Sequence, residues 1–207
     1  MNRFSLWLSR GEYSASGEVF DVGISTKEAI KWYQSGRAPL SCGGSNENDN
    51  GNGSLMRILP LLFYLQTLYG IDFQENDEAF EIIHNVSSLT HAHKRSKIGC
   101  GIYLSLAAML LGNMDLKSAI DLGIYKAFDY YGRYKEYKNE LKHYSRLSDN
   151  SFFSLTESEI KSSGYVVDTL EAAIWCLGNS STYQECVLKA VKDRKSTRLN
   201  SSHGKLS

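Results

Sequence analysis

Apolar residues recur along most of the chain at the three- and four-residue spacing of an amphipathic helix, whereas no stretch alternates convincingly with period two. The pattern therefore predicts an all-α fold. Glycines and short polar runs separate the apolar segments and mark the ends of the helices. The predicted helices cover residues 2–10, 26–35, 54–69, 77–87, 94–111, 116–131, 133–147, 165–177 and 183–192.

Two of these segments differ in the faces that they should expose. The segment 54–69 is apolar nearly all round, which predicts a central, buried helix. Pro60 lies in its second turn, where it removes one backbone hydrogen bond and should kink the helix. The segment 133–147 is rich in lysines and tyrosines, and we expect it to form an exposed helix with a solvated, charged face.

Capping signals predict where several helices begin. Ser25-Thr26-Lys27-Glu28 and Thr182-Tyr183-Gln184-Glu185 both have the hydroxyl and carboxylate spacing of a capping box. Asn76 or Asp77 should cap the helix that follows them, and Asp115 the next helix but one.

A long loop over residues 37–53 ends in Gly51-Asn52-Gly53-Ser54. Asn and Gly tolerate a positive φ, so this loop could fold tightly and bring its backbone close to a ligand. Ser54 could cap the next helix and leave first-turn N–H groups free for an oxygen-rich or anionic group. Taken alone, the loop fits a plain helix entry as well as a ligand cradle.

Size and composition point to one soluble domain. At 207 residues with 42% apolar residues, the chain can bury a substantial core. The longest nearly apolar run, residues 102–111, is about half the length of a membrane span. The first residues lack the apolar region and cleavage site of a signal peptide. We therefore expect a cytoplasmic protein with no membrane partner.

The four cysteines are scattered and show no C-x-x-C spacing. Free thiols in a reducing compartment are the expected state, rather than disulfides or a zinc site. They are Cys42, Cys100, Cys176 and Cys186.

The formal charge of zero hides an uneven distribution. Four of the 23 basic residues lie in 194–207, where there is no acidic residue, so residues 1–193 carry 19 basic against 23 acidic residues. A domain with a net negative charge is a poor candidate for nucleic-acid binding.

The C-terminal residues 193–207 break the patterns that precede them. They are polar, aperiodic and similar to translated sequencing-adapter DNA. The predicted division is thus a helical domain over 1–192 and a disordered or foreign tail over 193–207.

Three segments together resemble the ADP-ribosylglycohydrolase family. They are Asn50-Gly51-Asn52-Gly53-Ser54-Leu55-Met56-Arg57-Ile58-Leu59-Pro60, Ser88-Leu89-Thr90-His91-Ala92-His93, and Gly164-Tyr165-Val166-Val167-Asp168-Thr169-Leu170-Glu171-Ala172-Ala173-Ile174-Trp175. The resemblance implies a compact orthogonal bundle of many helices. It also implies hydrolysis of the N- or O-glycosidic bond that links ADP-ribose to a protein side chain or small molecule, with two magnesium ions.

The same resemblance implies a role for each segment. The loop 51–54 would lie against the ribose and phosphates, His91 would hydrogen-bond the ligand, and Tyr165 would form part of the wall. The implied partner is ADP-ribose or an ADP-ribosylated protein. The substrate-binding residues expected on this basis are Gly51, Asn52, Gly53, Ser54, His91 and Tyr165.

Structural alternatives remain for two of the polar residues in these segments. Without the resemblance, His91 is better explained by capping or packing than by ligand binding. Arg57 could pair with Glu47 or Asp49 beneath the loop. The other imidazoles of the helical domain, those of His84, His93 and His143, are expected to be structural or solvent-facing.

Two acidic motifs hold the metals in the family, and neither is present in this sequence. We therefore expect a fragment that is incomplete at both ends, inactive on its own, and without bound Mg²⁺. No catalytic or metal-binding residue is assigned. A metal-free ADP-ribose-binding module and a helical interaction protein are the alternatives.

Overall fold

The computed structural model describes the backbone of residues 1–201 and the side chains of residues 1–192. Within that part of the chain the regular structure is entirely helical, as expected, with isolated backbone bridges in place of strands. The α-helices are α1 Asn2–Arg10, α2 Ile24–Gln34, α3 Gly53–Arg57, α4 Leu61–Tyr69, α5 Asp77–Ser88, α6 Lys94–Leu111, α7 Leu116–Arg133, α8 Lys138–Leu141, α9 Val166–Gly178 and α10 Tyr183–Ser201.

Helix α6 is the centre of the molecule. Thirteen of its 18 residues are buried, because α5, α7 and α9 pack around it together with the short helix α3. Its apolar side chains are therefore distributed around the whole helix and not along one stripe.

Glycines let α6 and α7 approach closely. A Cβ atom on Gly123 would lie 2.4 Å from the Cα atom of Leu106, and one on Gly101 would lie 2.1 Å from the Oη atom of Tyr131. Both distances are far below van der Waals contact. A larger residue at 123 would therefore force the two helices apart, and one at 101 would displace the hydroxyl of Tyr131.

The predicted single helix over 54–69 is wrong, because the chain breaks into α3 and α4. Pro60 cannot donate a backbone hydrogen bond, and it stands at the N-cap of α4 instead of inside a helix. A tight turn joins the two helices, in which the N–H of Leu61 donates to the carbonyl of Ile58 at 2.9 Å.

The segment was also expected to be buried on all sides, but only one of its faces is buried. A stripe at helical spacing is buried, formed by Leu55, Ile58, Leu62 and Leu65. The opposite face is exposed although it is apolar, and it comprises Met56, Leu59, Phe63, Tyr64 and Leu68. The segment therefore lies at the surface, and the central place belongs to α6.

Three of the predicted caps are confirmed. The side chains of Asn76, Asp115 and Thr182 accept hydrogen bonds from first-turn backbone N–H groups at 2.9, 3.1 and 3.1 Å, respectively. The capping box at Ser25 is wrong, because α2 already begins at Ile24 and Gly23 occupies the N-cap without a side-chain bond.

The predicted exposed helix over 133–147 is also wrong. Helix α7 ends at Arg133, α8 spans only four residues, and a 3₁₀ segment, Lys142–Ser148, follows. Tyr144 is fully buried within it, and its hydroxyl donates to the carbonyl of Arg95 at 2.8 Å. This contact with α6 is consistent with the 3₁₀ segment and not with an exposed α-helix.

At the C-terminus the backbone of α10 continues as far as Ser201, beyond the predicted end near residue 192. A disordered or foreign tail was predicted over 193–207. The side chains from 193 onward and all of residues 202–207 lie outside the described residues. The tail stays a prediction.

Within the described residues none of the four cysteines forms a disulfide, and Cys42, Cys100 and Cys176 are buried. No helix in the described part of the chain is long and apolar enough to cross a membrane.

Candidate functional site

The loop before α3 joins two distant parts of the chain through backbone pairing. Gly44 forms a parallel bridge with His91, and Gly51 forms an antiparallel bridge with Tyr165. In the second bridge the N–H of Asn52 donates to the carbonyl of Gly164 at 2.9 Å. The three segments that carry the family resemblance thus meet at one place, next to the starts of α6 and α9.

A cavity of about 820 Å³ opens beside this meeting point. Four of the six predicted substrate-binding residues line it, namely Gly51, Asn52, Gly53 and His91. Helices α1 and α2 and the chain between them form the opposite wall. Among the residues of that wall are Arg3, Phe4, Trp7, Tyr13, Asp21 and Thr26.

Glycine is required at 53 by close packing and not by its backbone angles. Gly51 and Gly53 are not among the residues with a positive φ, so the predicted use of that region is wrong. A Cβ atom on Gly53 would lie 2.7 Å from the Cε1 atom of His91, and one on Gly51 would lie 3.4 Å from its Nε2 atom. The bare backbone makes room for the imidazole and leaves its Nε2 edge open.

Ser54 does not cap the following helix, contrary to the prediction. Helix α3 begins one residue earlier, with Asn52 at its N-cap and no side-chain cap. Ser54 is fully buried, and its hydroxyl accepts from the thiol of Cys100 at 3.6 Å. The amide of Asn52 is also engaged, because its Nδ2 donates to the Oγ1 of Thr169 at 2.9 Å.

Tyr165 stands at the N-cap of α9 and does not line the cavity that holds His91. Its hydroxyl accepts a hydrogen bond from Nη1 of Arg95 at 3.0 Å. The structure therefore brings four of the predicted residues together in the cavity wall, whereas Ser54 and Tyr165 do not line the cavity. Ligand contacts by those two residues stay predictions.

The imidazole of His91 is buried and tightly held. Its Nδ1 lies 2.7 Å from the Oγ1 of Thr90, and its main-chain carbonyl accepts from the hydroxyl of Ser87 at 2.9 Å. Burial, together with a smaller effect of the positive charge of Arg57, lowers the pKa of His91 to about 4 against the opposing charge of Asp49. The ring is thus neutral at physiological pH.

Arg57 lines the same cavity and does not pair with Glu47 or Asp49, so that alternative is wrong. Its guanidinium donates to the carbonyls of Gly53, Val86 and Ser87 at 3.0, 3.0 and 3.3 Å. The last two carbonyls belong to the final turn of α5, where a positive charge is favoured. Burial lowers the pKa of Arg57 to about 10.

Arg57 was not predicted as a site residue, although a signal was available. It is the only charged residue in the apolar segment 54–69. A single cation in such a segment indicates either a structural hydrogen bond or ion pair, or a contact with a ligand.

Arg95 forms ion pairs and hydrogen bonds beside the site that hold its segments together. Nothing in the sequence identified this residue. Its buried guanidinium contacts the carboxylates of Glu47 at 3.0 Å and Glu140 at 2.8 Å, besides the hydroxyl of Tyr165. The Nη2 atom that contacts Glu47 also lies 2.8 Å from the Nε2 of His143. One cation thereby connects the loop before α3, the start of α9 and the segment after α7.

The arrangement offers three kinds of contact to a ligand. The aromatic side chains of Phe4, Trp7 and Tyr13 line the cavity, where they can contact a planar group. The cations Arg3 and Arg57 attract anionic groups. The third contact is the neutral imidazole of His91, which forms a single directed hydrogen bond.

In residues 1–192 there is no group of three or more His, Cys, Asp and Glu side chains that could hold a metal ion. The described residues therefore do not fit a magnesium centre, and no step through a metal is assigned to them.

The sequence is similar to a known family and to two named relatives. The family model described as ADP-ribosylglycohydrolase matches residues 1–201. The chain is similar to the ADP-ribosylarginine hydrolase Tri1 of Pseudomonas putida (strain GB-1), with 24% identity over 190 residues, which are 91% of this chain and 45% of the relative.

A second relative, the ADP-ribosylarginine hydrolase Tri1 of Serratia proteamaculans (strain 568), is 27% identical over 189 residues, or 89% of this chain and 44% of its own length. The chain thus spans less than half the length of either relative. The family match extends over nearly all of the sequence and includes the loop, the histidine and the α9 segment that meet at the cavity. The chain belongs to the ADP-ribosylglycohydrolase family.

Proposed function

We propose that this chain binds the ADP-ribose part of an ADP-ribosylated protein in the cavity beside residues 51–53 and His91. One observation carries the proposal. The bare backbone of Gly51 and Gly53 and the imidazole of His91 line a single cavity of about 820 Å³, within the size range of small-molecule sites.

The chemistry of the cavity wall supports a nucleotide ligand. Phe4 and Trp7 can stack on a purine ring. Arg3 and Arg57 can attract the two phosphates, and the guanidinium of Arg57 has a buried Nε without a hydrogen-bond partner in the described part of the protein. An aromatic ring beside phosphate groups, as in a nucleotide, fits these features.

The reaction that we propose for the whole protein is hydrolysis of the bond between ADP-ribose and a protein side chain. The names of the two relatives favour arginine as that side chain. The resemblance to the family implies two Mg²⁺ ions for the hydrolysis. Since the described residues do not supply a ligand set for these ions, the role proposed for them is binding.

Calorimetric titration of the chain with ADP-ribose tests this proposal. The contacts come from backbone, guanidinium and imidazole groups, so we expect a dissociation constant on the order of 1 mM with or without Mg²⁺. Gly51→Ala should abolish measurable binding, because its Cβ atom would lie 3.4 Å from Nε2 of His91 and occupy the open edge of the ring.

Gly132→Ala is the matched control. A Cβ atom on Gly132 meets no atom within 4 Å, and Gly132 does not line the cavity. Equal binding by the parent and by Gly51→Ala would contradict the proposed place of the ligand. Failure of the parent to bind at several millimolar would contradict the proposal itself.

A second candidate, a helical interaction protein, is favoured by one observation. Phe63, Tyr64 and Leu68 are exposed by 58%, 55% and 52% along one face of α4. A hydrophobic face of this kind is typical of a protein contact. Association that depends on this face, in a protein that does not bind ADP-ribose, would favour the second candidate.

A further inference from the structure

We infer that Thr90 is a positioning residue that fixes His91 in the tautomer with its proton on Nε2, so that the imidazole offers a hydrogen-bond donor to the cavity. The ligand atom that meets His91 must then be an acceptor oxygen. The part of this inference that concerns the ligand rests on the proposed function. The part that concerns the tautomer does not.

The argument begins with the hydroxyl of Thr90. Thr90 is fully buried, and its Oγ1 has one hydrogen-bond partner among the described residues, the Nδ1 of His91 at 2.7 Å. If Nδ1 carried the proton, it would donate to Oγ1 and leave the hydroxyl hydrogen buried without an acceptor, which is costly. If Thr90 donates to Nδ1, the hydroxyl hydrogen has an acceptor and is not left buried without a partner.

In the second assignment the imidazole carries its single proton on Nε2. That atom has no hydrogen-bond partner in the described part of the protein. It faces the side of the ring that the missing side chains of Gly51 and Gly53 leave open, where a Cβ atom would lie 3.4 and 3.3 Å from it, respectively. The free N–H is therefore available to a molecule in the cavity.

The backbone around His91 keeps the ring from turning away. The N–H of His91 donates to the carbonyl of Ser87 at 2.8 Å, and the hydroxyl of Ser87 donates back to the carbonyl of His91 at 2.9 Å. On the other side the N–H of Ala92 donates to the carbonyl of Gly44 at 2.8 Å. With the main chain held by both neighbours, the bond to Thr90 determines which nitrogen faces the cavity.

Tautomer choice matters only while the imidazole is neutral. Burial and the neighbouring charge of Arg57 keep the pKa of His91 low, at about 4, although Asp49 acts in the opposite direction. At physiological pH the ring thus has one donor and one acceptor, and exchanging them would reverse the requirement on the ligand. An N–H at Nε2 accommodates a phosphate, hydroxyl or carbonyl oxygen and disfavours an ammonium or guanidinium group.

Nuclear magnetic resonance of the full chain with ¹⁵N-labelled histidine tests the tautomer directly. Two-bond ¹H–¹⁵N correlations show which imidazole nitrogen is protonated, and the variant His91→Phe identifies the signals of His91. We expect the Nε2-protonated form in the parent and in Thr90→Ser, which keeps the hydroxyl. In Thr90→Val, which lacks it, the Nδ1-protonated form should become populated.

A parent spectrum with the proton of His91 on Nδ1 would overturn the inference, and so would an unchanged tautomer in Thr90→Val. If Thr90→Val does not fold, the parent and Thr90→Ser spectra still decide the assignment.

Titration with ADP-ribose tests the consequence for binding. Loss of one directed hydrogen bond in Thr90→Val should weaken binding roughly three- to tenfold, whereas Thr90→Ser should stay within about twofold of the parent. Equal affinities for the parent and Thr90→Val would contradict the role of Thr90 in recognition. If the parent itself does not bind ADP-ribose, the proposed function fails and the spectra still decide the tautomer.

Discussion

Two buried histidines in the described part of the molecule are neutral because of where they are packed. His84 lies between the hydroxyls of Tyr131 and Tyr137, at 3.0 and 3.2 Å from its two ring nitrogens. Because the hydroxyl of Tyr131 donates to the carbonyl of Lys97, it accepts from Nε2 of His84, and Nδ1 accepts from Tyr137. Burial, with a smaller effect of the charge of Lys97, lowers the pKa of His84 to about 3.

We predict that these imidazoles make the protein less stable in mild acid. In the unfolded chain a histidine titrates near pH 6.5, whereas the pKa values in the fold are about 3 for His84 and about 4 for His91. The unfolded state therefore binds protons first as the pH falls. The free energy of unfolding should be constant above about pH 7 and fall below pH 6.5 by about 1.4 kcal/mol per pH unit for each histidine.

Urea unfolding measured between pH 7.5 and 5 checks this prediction. The variant His91→Gln, which cannot be protonated, should lose about half of the slope below pH 6. A free energy of unfolding that does not change over this range would show that the two imidazoles are not buried in the neutral form.

At the scale of the helices, the contact between α6 and α7 depends on residues without side chains. Gly123 places the backbone of α7 directly against Leu106, where a Cβ atom would come within 2.4 Å of the Cα atom. Backbone cannot move aside as a flexible side chain can, so the helices themselves must separate.

We therefore predict that Gly123→Ala lowers the free energy of unfolding by about 1–3 kcal/mol. Gly132→Ala in the same helix is the matched control and should raise it by up to about 1 kcal/mol, because alanine favours the helix and meets no atom within 4 Å. Chemical denaturation of both variants is the measurement. Equal effects of the two substitutions would mean that α6 and α7 are not in close contact at Gly123.

The sequence was sufficient to predict several of the longer helices, but not the breaks within 54–69 and 133–147. The positions of α6 and α9 and the caps at Asn76 and Asp115 follow from local rules alone. Which apolar face is buried could not be predicted, since Phe63 is as apolar as the residues of α6 and yet is exposed. The burial of Tyr144 likewise depends on the distant carbonyl of Arg95.

For the molecule as a whole, the candidate site forms where segments distant in sequence meet. The resemblance to the family identified the loop 51–54, His91 and the start of α9, and the structure adds the wall formed by α1 and α2. The hydrogen-bond partners of Thr90, Arg57 and Arg95 could not be predicted, because packing sets them. In particular, the partners of Arg57 are backbone carbonyls. Every residue has a carbonyl, so the sequence does not indicate which ones Arg57 contacts.

The exposed apolar face of α4 leads us to predict that the purified chain associates. Phe63 and Leu68 are exposed by 58% and 52%, and they lie close to Tyr64 on the same surface. Sedimentation velocity should show a mean mass that rises with concentration. The double variant Phe63→Ser/Leu68→Ser should shift the distribution towards the monomer, whereas a parent that is monomeric at every concentration would contradict the prediction.

The most direct test of the ligand site is a map of the amide resonances that change when ADP-ribose is added to the ¹⁵N-labelled chain. We expect the largest shifts at Gly51, Asn52, Gly53 and His91, with none at Gly132 on the distant helix α7. The result that would contradict the proposed function is a set of shifts located away from this cavity, or no shift at several millimolar ADP-ribose.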